Sequence, residues 1–319
     1  MRICGSLSLL FASLLLITFC LVMQAHASST WNIQIVDTKA NVGGCSIALD
    51  SADNPHIAYS DYVNDNVNLM YASWNGSDWN IQTVDSSGAP GSNSLALDSS
   101  NNPHISYYDI ANENLKYAYW TGSNWSTQTV DPSRGAGSLA LDSHNNPHIS
   151  YSMSNYLMYA WWNGSDWSIQ NVDSSVAFFS NGYLALDASG TPHISYFDFA
   201  NAVGYSSGDT KYAYWTGSTW NIQTVDSNEN IISPGPIALD SGGNPHISYF
   251  RAHPGQVTYS YGALMYAKLA ESTPLSASQL TVIIAVVVVV VILAVLLLVY
   301  RTRTKGAKKS PRTPSPPQP

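Results

Sequence analysis

The chain has 319 residues, 45 % of them hydrophobic and 11 % charged, with 10 Trp and 20 Tyr. That is too apolar and aromatic for disorder, and long enough for one large domain with appendages. The formal charge of −8 hides a segregation: residues 28–279 carry all 21 acidic residues against six basic ones, a net −15, which argues against nucleic acid or anionic lipid as partners of that segment.

Residues 1–27 have the form of a secretory signal. Arg2 supplies the positive start, an apolar run extends from Leu7 to Val22, and Ala25-His26-Ala27 is a small-x-small cleavage site. Cys4 and Cys20 fall within it, so the exported chain keeps Cys45 alone. One cysteine builds neither an internal disulfide nor a cysteine-based metal site. Cys45 opens a strand at a position held elsewhere by Asn93, Gly137, Gly182 and Gly235, and a half-buried small residue is expected there.

Residues 28–271 are a repeat domain. Pro-His-Ile recurs at His56, His104, His148, His193 and His246, spaced 48, 44, 45 and 53 residues apart. Asp50, Asp98, Asp142, Asp187 and Asp240 each stand six residues before one of these histidines. A period of that size marks an array of small supersecondary units. Within one unit the composition predicts strands over 46–50, 55–61, 68–74 and 79–85, separated by turns over 51–54 and 75–78. Tyr, Trp, Ile, Val and Thr fill the strands; Asn, Gly, Asp and Ser fill the turns. Four short antiparallel strands per unit is the size of a β-propeller blade.

The closure follows from counting. Trp-x-x-Gln-x-Val-Asp occurs at Trp31, Trp79, Trp125, Trp167 and Trp220, so one copy precedes the first unit and the last unit lacks one. A five-bladed β-propeller, all-β, resolves this if Trp31–Asp37 closes the last blade as its outer strand and leaves no edge unpaired. The pattern Leu-Ala-Leu-Asp-Ser-x-x-Asn-Pro-His-Ile-Ser-Tyr-Tyr-Asp, spread over 31–268, resembles the exported β-propeller repeat proteins of bacteria and archaea. That resemblance implies a surface propeller related in form to the sialidase-like and lectin-like ones, and implies no activity.

Residues 272–279 form a linker. Leu280–Tyr300 follows with 21 uncharged residues, about 31 Å as a helix and enough to cross a bilayer. Six Lys/Arg in 301–319 come directly after it, which places this Pro-rich tail in the cytoplasm and the propeller outside, as a type I single-pass cell-membrane protein.

Five histidines at one blade position suggest a metal ring only superficially, because zinc needs three or four ligands at about 2 Å. A repeated structural hydrogen bond is expected instead, with each Ala-Leu-Asp carboxylate capping its own turn. No metal and no cofactor are expected. Sialidases, which this chain resembles in form, bind their carboxylate substrate through three arginines, and the exported segment has Arg134 and Arg251 only. Other propeller glycosidases need convergent carboxylates, whereas most aspartates here repeat from unit to unit, so a binding or adhesion module is expected, with a carbohydrate-active enzyme or a structural cell-envelope protein without a small ligand as the alternatives. Recognition is expected where the repeat breaks: at the end of the histidine strand, which reads Asp61, Asp109, Met153, Asp198 and Arg251, and in loops carrying Phe178, Phe179, Tyr205 and Tyr259. A glycan or a surface protein is the expected partner of that face. Asn75, Asn124 and Asn163 begin Asn-x-Ser sequons in the opposite turns and are candidate glycosylation acceptors.

Overall fold

The computed structural model describes residues 32–38, 40–63, 66–88, 90–133, 135, 137–174, 182–198, 208–227, 231–233, 235–252 and 262–269. Two compact units divide the chain at residue 268. The first holds every described strand. Among the described residues no helix is long and apolar enough to cross a membrane; the expected signal, linker, span and tail lie outside them, as do Phe178, Phe179, Tyr205 and Tyr259.

Twenty strands form five antiparallel sheets. The first sheet runs β1 (Val42–Leu49), β2 (Pro55–Val63), β3 (Asn66–Trp74), β4 (Trp79–Asp85). The second is β5 (Pro90–Leu97), β6 (Pro103–Asp109), β7 (Asn114–Trp120), β8 (Trp125–Asp131). The third is β9 (Gly137–Leu141), β10 (Pro147–Met153), β11 (Tyr156–Trp162), β12 (Trp167–Asp173), and the fourth β13 (Tyr183–Leu186), β14 (Pro192–Asp198), β15 (Asp209–Trp215), β16 (Trp220–Asp226). The fifth comprises β17 (Ile231–Ser233), β18 (Ile237–Leu239), β19 (Pro245–Ala252) and β20 (Gly262–Lys268). In the first four, strand order equals chain order, the meander of a propeller blade. First strands neighbour one another in succession: β1 and β5, β5 and β9, β9 and β13, β13 and β18.

Turn chemistry explains why each meander folds where it does. Asp53, Asn101, Asn145, Gly190 and Gly243 occupy the same turn position with φ between 62° and 81°, a left-handed conformation that Asn, Asp and Gly tolerate best. Gly76, Gly122, Gly164 and Gly217 take φ of 91° to 100° in the second turn, where any other residue would be strained. Proline opens each second strand at Pro55, Pro103, Pro147, Pro192 and Pro245, the strand position where a missing N–H is tolerated.

The core lies between sheets. One cluster joins Leu69, Tyr71 and Val84 of the first sheet to Leu95, Ile105 and Tyr107 of the second. Equivalent clusters join the second to the third, the third to the fourth and the fourth to the fifth. The fifth sheet differs from the rest. β20 runs along one edge of β19, and β17 and β18 pair with it at Ile231↔Arg251 and Ile237↔Ile247, so they share the other edge end to end. Among the described residues this sheet is therefore three strands wide, with no strand beyond β20 in the fourth place. Asn32–Asp37 forms no ladder.

Cys45 departs from expectation. It is exposed, whereas Gly182 and Gly235 at the same position are buried. The reason is local: those glycines are covered by a preceding sheet, and no described sheet covers this face of β1.

Candidate functional site

The histidines and the aspartates preceding them form one repeated unit. Asp98 Oδ1 accepts the backbone N–H groups of Ser100 and Asn102 at 2.8 and 2.7 Å, and its Oδ2 accepts Asn102 Nδ2 at 2.9 Å. The same carboxylate lies 3.7 Å from His104 Nε2, whose ring meets the Tyr117 hydroxyl through Nδ1. All five repeats carry this arrangement: the Asp–His distances are 3.5 to 3.7 Å, and Tyr71, Tyr159, Tyr212 and Tyr266 take the place of Tyr117. Each hairpin is thus tied to the third strand of its own sheet, a scaffold role for residues that resemble catalytic ones in the sequence.

Burial pushes the pKa of His104, His148 and His193 down, against the pull of Asp98, Asp142 and Asp187. The folded state therefore holds these rings neutral, while the unfolded chain protonates near 6.5. Their stabilisation is complete above about pH 6.5 and is lost as the pH falls below it. Burial would raise Asp98 and Asp142, but hydrogen bonds to their turns hold both below the ordinary carboxylate value, which adds a second loss below about pH 4. Melting temperature measured from pH 8 to 3 should be flat to pH 6.5 and then fall in two steps; a protein more stable at pH 5 than at pH 7 would contradict this assignment.

A second network crosses between sheets. Tyr107 Oη donates to Asp85 of the preceding sheet at 2.5 Å, Tyr151 to Asp131 at 2.5 Å, Tyr196 to Asp173 at 2.6 Å and Tyr249 to Asp226 at 2.7 Å. The positions expected to face a ligand adjoin this network. Asp109 is fully buried, accepts the Asn112 backbone N–H at 3.1 Å and Nδ2 at 2.9 Å, and lies 3.4 Å from Lys116 Nζ. Lys116 Nζ also reaches Asp85 Oδ2 at 2.7 Å. Burial would raise Asp85, but hydrogen bonds from Lys116, Ser87 and Tyr107 bring it to about 2. In the fourth sheet Lys211 bridges Asp198 and Asp173 in the same way. Arg251 pairs with Asp226 directly. Asp61 is buried and accepts the Asn41 N–H at 2.8 Å. Met153 packs with Met158 against the core between the second and third sheets.

Asp61, Asp109 and Asp198 therefore point inward as anchors, and not outward as a ligand-facing row. Burying a carboxylate costs least when it is paired and hydrogen-bonded, as Asp109 and Asp198 are by Lys116 and Lys211 and Asp61 is by the Asn41 N–H. The lysines Lys116 and Lys211 were not singled out in the sequence. Their signal was available: lysine stands at that strand position only in two sheets, and both have aspartate at the end of the histidine strand.

Of the sequon asparagines, Asn75 and Asn163 are exposed and form Asx turns, with Ser77 and Ser165 Oγ donating to their Oδ1 at 2.9 and 3.0 Å. Asn124 is also exposed, but its carbonyl closes the turn by accepting the Thr121 N–H at 2.9 Å, and its sequon serine, Ser126, lies within β8.

No family model matches the sequence, and no curated protein matches it. Solved structures share the fold. A protein of unknown function from Dyadobacter fermentans matches 73 % of this chain and 80 % of its own length, at 12 % identity and a TM-score of 0.50. A PL25 ulvan lyase, a polysaccharide lyase, matches 75 % of this chain and 69 % of its own, at 12 % identity and a TM-score of 0.51. At such identities the likeness is one of architecture.

Proposed function

We propose that this is a type I, single-span cell-surface protein whose ectodomain is a five-bladed β-propeller, closed by its N-terminal strand, and that the ectodomain binds a glycan or a protein partner. The observation that carries this reading is the division of labour among its polar groups. The repeated Asp, His and Tyr residues are engaged within or between sheets, while variation gathers in the loops at one end of the strands. Rigid scaffold with variable loops is the usual layout of a recognition surface. Aspartates buried in ion pairs hold the hairpins there, which leaves Phe178, Phe179, Tyr205, Tyr259 and Arg251 as the side chains we assign to contact.

A carbohydrate-active enzyme is the second reading, favoured by the architecture shared with the ulvan lyase. A glycan array probed with the full chain, run beside a chromogenic glycoside and lyase screen, separates the two. The expected result is saturable binding without turnover, lost when Phe178, Phe179 and Tyr205 are replaced by alanine together. Turnover would favour the enzyme, and binding unaffected by the triple replacement would remove the loops from the site. Protease shaving of intact cells should release the propeller and spare the tail; protection of the propeller would overturn the topology.

A further inference from the structure

We infer that residues 32–37 dock on the free edge of β20 in one register, Leu264↔Asp37, Met265↔Ile35, Tyr266↔Gln34 and Ala267↔Ile33, building a fifth inter-sheet junction between the last sheet and the first. The inference rests on the five-bladed reading above and adds to it the contacts and the register.

Two polar marks identify a junction. A tyrosine of one sheet donates to the aspartate that ends the fourth strand of the sheet before it, as described above. A tryptophan donates to a glutamine of that same fourth strand: Trp125 Nε1 to Gln82 at 3.0 Å and Trp167 Nε1 to Gln128 at 3.1 Å. All four described junctions carry the first mark, and the junctions into the second and third sheets carry the second as well. At the junction into the fourth sheet, Trp220 Nε1 is buried without a hydrogen-bond partner among the described residues. The first sheet bears both marks, and residues 32–37 satisfy them. Tyr59 Oη donates to Asp37 at 2.8 Å, and Trp79 Nε1 lies 3.3 Å from Gln34 Oε1. Towards the first sheet the segment is already placed as the fourth strand of a preceding sheet would be. Among the described residues, the sheet with no fourth strand is the last.

The apolar surfaces agree. Leu264 and Tyr266 of β20 are 71 % and 63 % exposed, whereas Leu69, Leu115 and Leu157 at the first of those positions are completely buried, and Tyr71 at the second is nearly so. Ile47 of β1 is 64 % exposed, against 7 % for its equivalents Leu95 and Leu139. These are the two halves of one junction, seen separately. Surfaces of this kind are rarely left to solvent by a monomer. The free edge of β20 is equally a liability until paired.

The register comes from the other sheets. Ala72↔Ile81, Ala118↔Thr127, Ala160↔Ile169 and Ala213↔Ile222 are the same pair four times over, and Ala267↔Ile33 is the fifth. Docking also brings a further contact within reach. Asn101 clasps Ser51 of the preceding sheet through its side-chain oxygen and nitrogen at 3.0 and 2.8 Å, and Asn145 clasps Ser99 likewise. Asp53 stands at that position in the first sheet and Ser241 stands opposite in the last. Lys268 comes opposite Asn32, so the chain enters and leaves the propeller side by side, which suits a domain exported from one end and anchored at the other.

The test is a cysteine pair, Ile33→Cys with Ala267→Cys, in the full chain carrying Cys45→Ser. Mild oxidation should cross-link most chains within the monomer, as it should for a control pair, Ala72→Cys with Ile81→Cys, across β3 and β4. Amide exchange at Ile33 and Ile35 in the parent chain should be slowed on the order of a hundredfold relative to an unstructured segment. A control that cross-links while the closing pair does not, a cross-link formed between two chains, or unprotected amides at both positions would each overturn the inference. Loss of glycan binding with the cross-link intact would count against the binding reading alone.

Discussion

Replacing Lys116 by methionine is expected to cost about 3–5 kcal/mol, and replacing Asp109 by arginine in the same chain should recover most of that loss. Lys116 Nζ sits between Asp85 and Asp109, whose side chains are 7 % and 0 % exposed. Removing the ammonium leaves two buried carboxylates beside each other with only amide and hydroxyl donors, the situation in which one deleted partner is most costly. The remedy is present in the molecule. At the two equivalent positions of the last sheet stand Arg251 and Met265, and Arg251 reaches Asp226 as Lys116 reaches Asp85. One cation thus serves one aspartate there, where the second sheet uses one cation for two. Denaturant unfolding of the single and double variants would decide it. A single variant within about 1 kcal/mol of the parent, or a double variant no better than the single, would show that this network contributes little to stability.

Most of the fold was legible because its signals are local. Runs rich in Tyr, Trp, Ile, Val and Thr, prolines at strand starts and Asn/Gly turns name the strands before any contact is known. Even the surplus Trp-x-x-Gln-x-Val-Asp copy at the start follows from counting. What the sequence concealed depends on how neighbouring sheets stack. Tyr107 and Asp85 lie 22 residues apart in different repeats, and no periodicity announces that they touch. Burial of Asp109 and Asp198 was hidden for the same reason: an aspartate at a strand end before a loop resembles a rim residue until a lysine from the adjacent strand is seen beside it. Cys45 shows the converse. Its position in the repeat predicts cover, and the exposure comes from being in the first sheet rather than from any property of cysteine.

Trp167→Ala and Trp79→Ala should destabilise the protein by nearly the same amount, about 3 kcal/mol each, given the large loss usual on truncating a packed tryptophan. Trp125, Trp167 and Trp220 each set an edge against a tyrosine of the preceding sheet, with ring centroids 5.2 to 5.3 Å apart and interplanar angles of 70° to 75°. Such edge-to-face pairs add about 0.5–1.5 kcal/mol beyond the area they bury. Trp79 has the polar half of this environment through Gln34, and its aromatic counterpart by position is Tyr266, which is largely exposed. If the first and last sheets meet in solution, Trp79 packs on Tyr266 and its removal costs what Trp167 costs. If they stay apart, the indole rests mainly on its neighbour Trp74, 5.5 Å away, and the loss should fall to about 1 kcal/mol, typical of a substitution outside the packed core. A double-mutant cycle of Trp79→Ala with Tyr266→Ala sharpens the distinction. Coupling of about 0.5 kcal/mol or more places the two rings in contact, because residues without shared partners add within that margin. The measurement reads closure from energetics alone, without introducing a cross-link that could itself hold the strands together.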